Sequence, residues 1–362
     1  MDQWEHPTDL ADELSEPNRR QFLQTGLVGT GVALAGSLNS ASGALGAANE
    51  NTEGGQGMIP SRALGNTGAR VSILGLGGFH LGTVSSFDEA TRIVQEAVDA
   101  GVTFMDNAWE YNQGRSEDLM GRALVGRRDK VFLMTKVCTH GRDKQVALQQ
   151  LEESLKRLRT DHLDLWQIHE VVYDNDPDLH FAKGGAIEAL DQAKKDGRVR
   201  FTGFTGHKNP AIHLKMLSHN YPFDAVQMPL NCFDATYRSF ERAVLPEVNR
   251  RGMAALGMKS LGGDGQPVIH GAVSAEEALR YAMSLPVACT ITGIDSLAVL
   301  HQNLSIARGF QAMPPSEMES LRQRCAPLAA DGHLELYKST KRYDAAVGRE
   351  QHGYPPPDVL PY

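Results

Sequence analysis

Three apolar runs end in polar residues of three different types. Asp106 ends Phe104-Met105-Asp106, Lys136 ends Phe132-Leu133-Met134-Thr135-Lys136, and His169 ends Trp166-Gln167-Ile168-His169. Tyr111 follows just beyond Asp106. A half-buried Lys needs a partner, and Asp106 on the neighbouring run is a candidate. A free phenol titrates near pH ~10, so Tyr111 alone is a poor acid or base at neutral pH. An adjacent ammonium favours the phenolate. Lys136 is therefore expected to lower the Tyr111 pKa while Asp106 holds and neutralises it. His169 would hydrogen-bond the oxygen being reduced. Together these groups form a proton-transfer unit for a carbonyl or an alcohol. They are not a covalent nucleophile system, since no Ser or Cys sits in an equivalent motif. On the ionisable pair alone, a structural salt bridge explains the residues as well as chemistry does. Their place on consecutive strand ends favours chemistry.

The elements that must position them are regular from about residue 60. Strands are expected at Val71–Leu76, Thr103–Asp106, Val131–Lys136, Leu163–His169, Val199–Phe204, Ala225–Met228, Ala254–Met258 and Ala288–Thr292. Helical stretches fall between them at 88–100, 116–125, 144–159, 186–196, 211–218, 240–250, 275–284 and 297–308, as at Val146, Leu148, Leu151, Leu155 and Leu158. Eight such units predict an α/β fold, a (β/α)8 TIM barrel whose functional groups gather at the C-terminal strand ends. A doubly wound sheet would need a third glycine after Gly75-Leu76-Gly77-Gly78. Ser61–Val71, with Gly65-Asn66-Thr67-Gly68 as its turn, reads as a β-hairpin closing the barrel bottom. Residues 49–310 are assigned to the barrel and 311–362 to a C-terminal extension with a helix at 316–329.

The first 48 residues stand apart. Asn18-Arg19-Arg20-Gln21-Phe22-Leu23-Gln24 precedes a charge-free stretch rich in small residues. This pattern resembles a twin-arginine export signal, with cleavage expected near Ala44 or Ala47. It implies the twin-arginine export machinery as a partner and a periplasmic or cell-envelope location. The 362 residues carry a formal charge of −8. That acidic balance argues against a nucleic-acid partner. Four dispersed cysteines, Cys138, Cys232, Cys289 and Cys325, form no CxxC and no zinc motif.

Further strings carry a family resemblance. Phe104 to Tyr111, Ser116-Glu117, Gly121-x-Ala123-Leu124, Thr135-Lys136 and Gln167-Ile168-His169 resemble the aldo-keto reductase family, as do Leu64-Gly65-x-Thr67-Gly68 and Asn303. The resemblance implies a catalytic tetrad of Asp106, Tyr111, Lys136 and His169. It implies NADP(H) or NAD(H) as cofactor, hydride transfer to a small-molecule carbonyl or from an alcohol, and Tyr111 as the proton carrier. The cofactor-binding positions it implies are Gly78, Asp106, Thr205, Gly206, Gln227, Met258, Gly293 and Asn303.

The chain departs from that pattern at several places. Asn107 follows the catalytic Asp where Thr is usual. Thr205-Gly206 replaces Ser-Asn, and Met258 stands where an aromatic usually stacks on the nicotinamide. Lys259 beside it could reach a phosphate or a substrate carboxylate. Ile291 to Leu297 contains no Lys or Arg, and its Asp295 would repel a 2′-phosphate if it pointed inward, which leaves NADH open against NADPH. His80, His140 and His207 with His169 and Asp106 would also suit a metal hydrolase. No HxH or HExxH supports one, and Lys136 would sit badly among the ligands, so no metal is expected. A non-enzymatic nucleotide-binding or interaction subunit on the same barrel is the alternative function.

Overall fold

The computed structural model describes residues 58–138, 142–341, 343–344, 346–351 and 356–359. The expected export segment and His140 lie outside the described residues. Eight parallel strands close into a barrel: β3 (Leu74–Gly77), β4 (Phe104–Asp106), β5 (Phe132–Val137), β6 (Leu163–Ile168), β7 (Val199–Thr205), β8 (Ala225–Pro229), β9 (Ala254–Met258) and β10 (Cys289–Gly293). β10 pairs with β3 to complete the circle, with Thr290 opposite Leu74. Helices alternate with the strands, as the spacing predicts for a TIM barrel. No helix among the described residues is long and apolar enough to cross a membrane.

Most barrel strands are buried on both faces, because helices cover the outside and side chains fill the inside. The inner cluster contains Phe104, Phe132, Met134, Leu165 and Leu256. Phe104 and Phe132 stack with centroids 5.4 Å apart. Leu64 and Val71 belong to this same cluster and come from a hairpin. That hairpin, β1 (Ser61–Ala63) with β2 (Arg70–Ser72), plugs the barrel bottom as expected. Its turn is pressed onto the wall: Gly65 has φ +52°, and a Cβ there would lie 2.6 Å from Ala254 N. Arg62 donates to Met283 O (2.8 Å) and Val287 O (2.9 Å), fixing the hairpin to the end of helix Ala275–Ser284.

Two elements differ from the sequence reading. The expected strand Val71–Leu76 is two strands, because Val71 and Ser72 pair with the hairpin whereas Leu74 pairs with β10. Ile73 is the joint between plug and wall: its N–H donates to Pro60 O and its carbonyl accepts from Thr290 N. The expected helix 240–250 is divided into Phe240–Ala243 and Leu245–Arg250. Pro246 lies in the first turn of the second piece, and a proline cannot supply the N–H needed to continue an earlier helix.

Beyond the barrel, helix Pro315–Ala329 is held by Arg322, which reaches Glu241 at 2.7 Å. The chain then crosses to the barrel mouth. Lys338, fully buried, is satisfied by Asp234 (2.6 Å), Glu335 (2.9 Å) and Tyr237 O (2.8 Å).

The loop after β4 depends on close contact between helices Arg115–Ala123 and Lys144–Leu158. Gly121 makes that contact, and a Cβ there would lie 2.3 Å from Arg157 O. Backbone must shift to admit it. Gly121→Ala is expected to destabilise the fold by about 1–3 kcal/mol, read as a lower urea midpoint; an unchanged midpoint would contradict this packing.

Candidate active site

The four residues singled out from the sequence meet at the C-terminal end of the barrel. Lys136 is fully buried and Asp106 is 3% exposed. Their separation is 2.8 Å. An ammonium has three protons, and here each has an acceptor. Besides Asp106, Lys136 Nζ donates to Asn107 O at 2.7 Å and to Tyr111 Oη at 3.3 Å. Tyr111 Oη in turn lies 3.5 Å from His169 Nε2. The result is a continuous chain Asp106–Lys136–Tyr111–His169.

The loop carrying Tyr111 is stapled from below. Trp109 N–H donates to Lys136 O, and Arg157 donates to Trp109 O at 2.9 Å. Arg157 also reaches Glu117 at 3.1 Å, while Glu117 accepts from Thr135 Oγ1 at 2.6 Å. The Ser116-Glu117 motif therefore connects the Tyr111 loop to the strand that bears Lys136. Ser116 Oγ donates to Gly78 O at 2.5 Å. Trp109 itself points to Glu153 and not into the mouth. Phe79 is half exposed and meets the Tyr111 ring edge-on at 5.5 Å.

The electrostatics correct one expectation. Lys136 was expected to lower the Tyr111 pKa. The phenol is instead held well above its ordinary value, by burial first and then by Asp106, Glu110 and Glu170. Burial disfavours the charged phenolate, and the Asp106, Glu110 and Glu170 carboxylates add to that. Tyr111 thus keeps its proton at neutral pH.

Glu110 and Glu170 carried no assigned role in the sequence reading. Glu110 Oε1 forms a very short contact with His169 Nδ1. Glu110 Oε2 is buried with no partner. Glu170, next to His169, has φ +53°, a strained region for a residue with a Cβ. Its carboxylate lies 3.5 Å from His207 Nε2. Burial pushes the Glu170 carboxyl up, but His169, His207 and Lys259 outweigh it and hold it down at about 2. Adjacency to Tyr111 and His169 was the available signal for both acids.

The expected cofactor positions sit around this centre. Gln227 Nε2 donates to Asp106 Oδ2 at 3.1 Å and approaches Met258 Sδ at 3.7 Å. Its Oε1 is buried without a partner. That orphaned acceptor fits a carboxamide N–H of a nicotinamide. Thr205 ends β7, 1% exposed. A Cβ on Gly206 would already lie 2.5 Å from Val171 O, which is why no Asn follows Thr205. Gly78 abuts Asp106 O and Ser116 in the same way, and Gly293 abuts His80. Asn303 Nδ2 reaches Thr292 Oγ1 at 3.4 Å. Asp295 is exposed. His80 lies beside Gly293, across the mouth from His207, so the expected set of His80, His169, His207 and Asp106 is not gathered at one point.

The extension borders the site. Tyr337 O accepts from His207 Nδ1 at 3.3 Å, and the Tyr337 and Tyr343 rings lie 5.1 and 4.9 Å from Lys259 Nζ. Lys208 pairs with Asp344 at 3.1 Å.

A family model described as the aldo/keto reductase family matches residues 73–265, more than half of the chain. Aldo-keto reductase YhdN of Bacillus subtilis is 30% identical over 198 residues, covering 51% of this chain and 56% of that protein. The chain spans 49–66% of the length of the first curated relatives it matches. Among solved structures, aldo-keto reductase AKR11C1 from Bacillus halodurans in its holo form superposes with a TM-score of 0.63 at 24% identity, over 73% of this chain and 95% of that one. An aldo/keto reductase from Klebsiella pneumoniae in complex with NADP and acetate gives 0.58 at 20% identity, over 72% and 94%. At those identities the two structures bear on the fold alone. With the barrel, the buried Lys–Asp pair and the family match in agreement, the chain belongs to the aldo/keto reductase family.

Proposed function

We propose that this oxidoreductase interconverts a small-molecule carbonyl and its alcohol with a nicotinamide dinucleotide, Tyr111 giving the proton in reduction and taking it in oxidation. The observation that carries this reading is the chain Asp106–Lys136–Tyr111–His169 beside the orphaned Gln227 Oε1. A bound nicotinamide supplies or accepts the hydride. Tyr111, holding its proton, faces the oxygen on which negative charge develops. Lys136 donates to that same phenol oxygen and stabilises the phenolate left after transfer. Asp106 keeps Lys136 oriented, and Gln227 keeps Asp106 oriented. His169 is fixed by Glu110 with Nε2 toward Tyr111. From there the ring is placed to hydrogen-bond a carbonyl oxygen beside Tyr111.

The residues fit a nicotinamide dinucleotide through Gln227 and through the bare backbone at Gly78, Gly206 and Gly293. The NADP in the Klebsiella pneumoniae relative supports NADPH. The absence of Lys or Arg from residues 291–297 supports NADH. Fluorescence titration of the full chain with each nucleotide tests the reading, after removal of any co-purified nucleotide. Saturable binding of at least one nucleotide is expected, and Gln227→Leu is expected to weaken it about tenfold, the worth of one buried hydrogen bond. Binding of neither nucleotide would overturn the enzymatic reading in favour of an interaction subunit.

Lys259 adds a pH signature. Burial lowers its ammonium to about 8, against the opposing charge of Glu170 and with help from Lys136. It is charged below that pH and neutral above. If it reaches a nucleotide phosphate, affinity falls by about tenfold as pH rises through that value, the worth of one charge-assisted hydrogen bond. Lys259→Met is expected to bind weakly with no such step. A step that persists in the variant would remove Lys259 from the nucleotide site.

A further inference from the structure

We propose that Glu110, His169 and Glu170, with His207 beside Glu170, form a binding site for one divalent transition-metal ion of the zinc class at the barrel mouth. Ligand atoms of Glu110, His169 and Glu170 lie within 4.8 Å of one another. The fourth group, His207 Nε2, is 3.5 Å from Glu170 Oε1. Two imidazoles and two carboxylates are a ligand set that such ions accept.

Two observations point to a cation beyond the proximity of the groups. The first is Glu110 Oε2, a carboxylate oxygen with no partner on a side chain 9% exposed. A buried carboxylate oxygen without a donor is costly, and a metal ion would satisfy it. The second is the His207 ring. Its Nδ1 faces the Tyr337 carbonyl at 3.3 Å. A carbonyl accepts only, so Nδ1 carries a proton and Nε2 is the atom turned toward Glu170. A cation beside this long 3.5 Å contact would take both Nε2 and the carboxylate as ligands. A metal-bound imidazole ordinarily donates its other N–H to a backbone carbonyl or a carboxylate, as His207 does here.

The site also bears on His169. Glu110 now meets Nδ1, which fixes the neutral ring with its proton there and leaves Nε2 an acceptor. An ion on Nδ1 would place the proton of the neutral ring on Nε2, facing Tyr111. His169 would then donate to a carbonyl oxygen without becoming charged. The ion is thus a positioning group for His169. The site itself does not rest on the reductase reading.

The test uses the full chain stripped with a chelator and titrated with Zn²⁺ by calorimetry and with Co²⁺ by visible absorption. One equivalent of each is expected, with Co²⁺ bands of a mixed nitrogen and oxygen site. Exposed pairs such as His333 with Asp331 can also collect ions, so variants decide the location. Glu110→Gln and, independently, Glu170→Gln are expected to weaken binding by at least about tenfold, as loss of a metal-site partner does, with far-UV circular dichroism unchanged. No saturable binding, or stoichiometric binding that both variants leave intact, overturns the proposal. The latter result would mean ions held on the surface. Nucleotide titration of the same samples separates failure of this site from failure of the cofactor site.

Discussion

An ammonium held inside a protein without a partner costs several kcal/mol, and removing one member of a buried pair costs about 3–5 kcal/mol. Lys136 is such an ammonium, and Asp106 is its counter-charge at 2.8 Å. The two side chains come from adjacent strands, so the barrel must close in one register to bring them together. Once they meet, the remaining lysine protons are committed to Asn107 O and Tyr111 Oη. The pair therefore sets where the reactive phenol sits. The burial that comes with this placement, and the acids around it, hold the proton on the phenol.

Much of the surrounding structure holds this arrangement in place. Loops at strand ends are mobile unless anchored. The loop between Asp106 and Gly114 is anchored by Arg157, which bridges Trp109 O and Glu117 and so ties the loop to a helix that packs tightly at Gly121. The opposite end of the barrel is filled by the hairpin residues Leu64 and Val71. On the far side of the mouth, the extension from Glu335 to Asp344 is fixed by Lys338 and Lys208. It brings a backbone carbonyl against His207 and aromatic rings against Lys259.

The barrel was legible because a parallel sheet covered on both faces leaves long apolar runs, and helices between them leave their own period. The tetrad was legible because Asp, Lys and His ended such runs. Charge balance within the site was not. From sequence, Lys136 beside Tyr111 reads as a lowered phenol pKa; burial of the phenol, and then Asp106, Glu110 and Glu170, reverse it. The break at Ile73 was hidden because plug and wall share the same apolar residues. Glu110 and Glu170 were hidden because an acid next to a catalytic residue looks like any solvated acid until its burial is known. The requirement for Gly206 likewise depends on Val171, a contact that no local motif encodes. The segment bearing Arg19 and Arg20 lies outside the described residues, so export rests on the sequence pattern.

The central claim is that Tyr111, charged with its proton and backed by Lys136, carries the proton of a hydride transfer. Single-turnover oxidation of bound NADH or NADPH by an activated aromatic aldehyde, followed by absorbance in wild type and Tyr111→Phe, tests it most directly. The account predicts that the variant binds nucleotide normally but transfers hydride slower by about 10²–10⁴, the usual worth of a positioned general acid. Equal rates in the two proteins would contradict it.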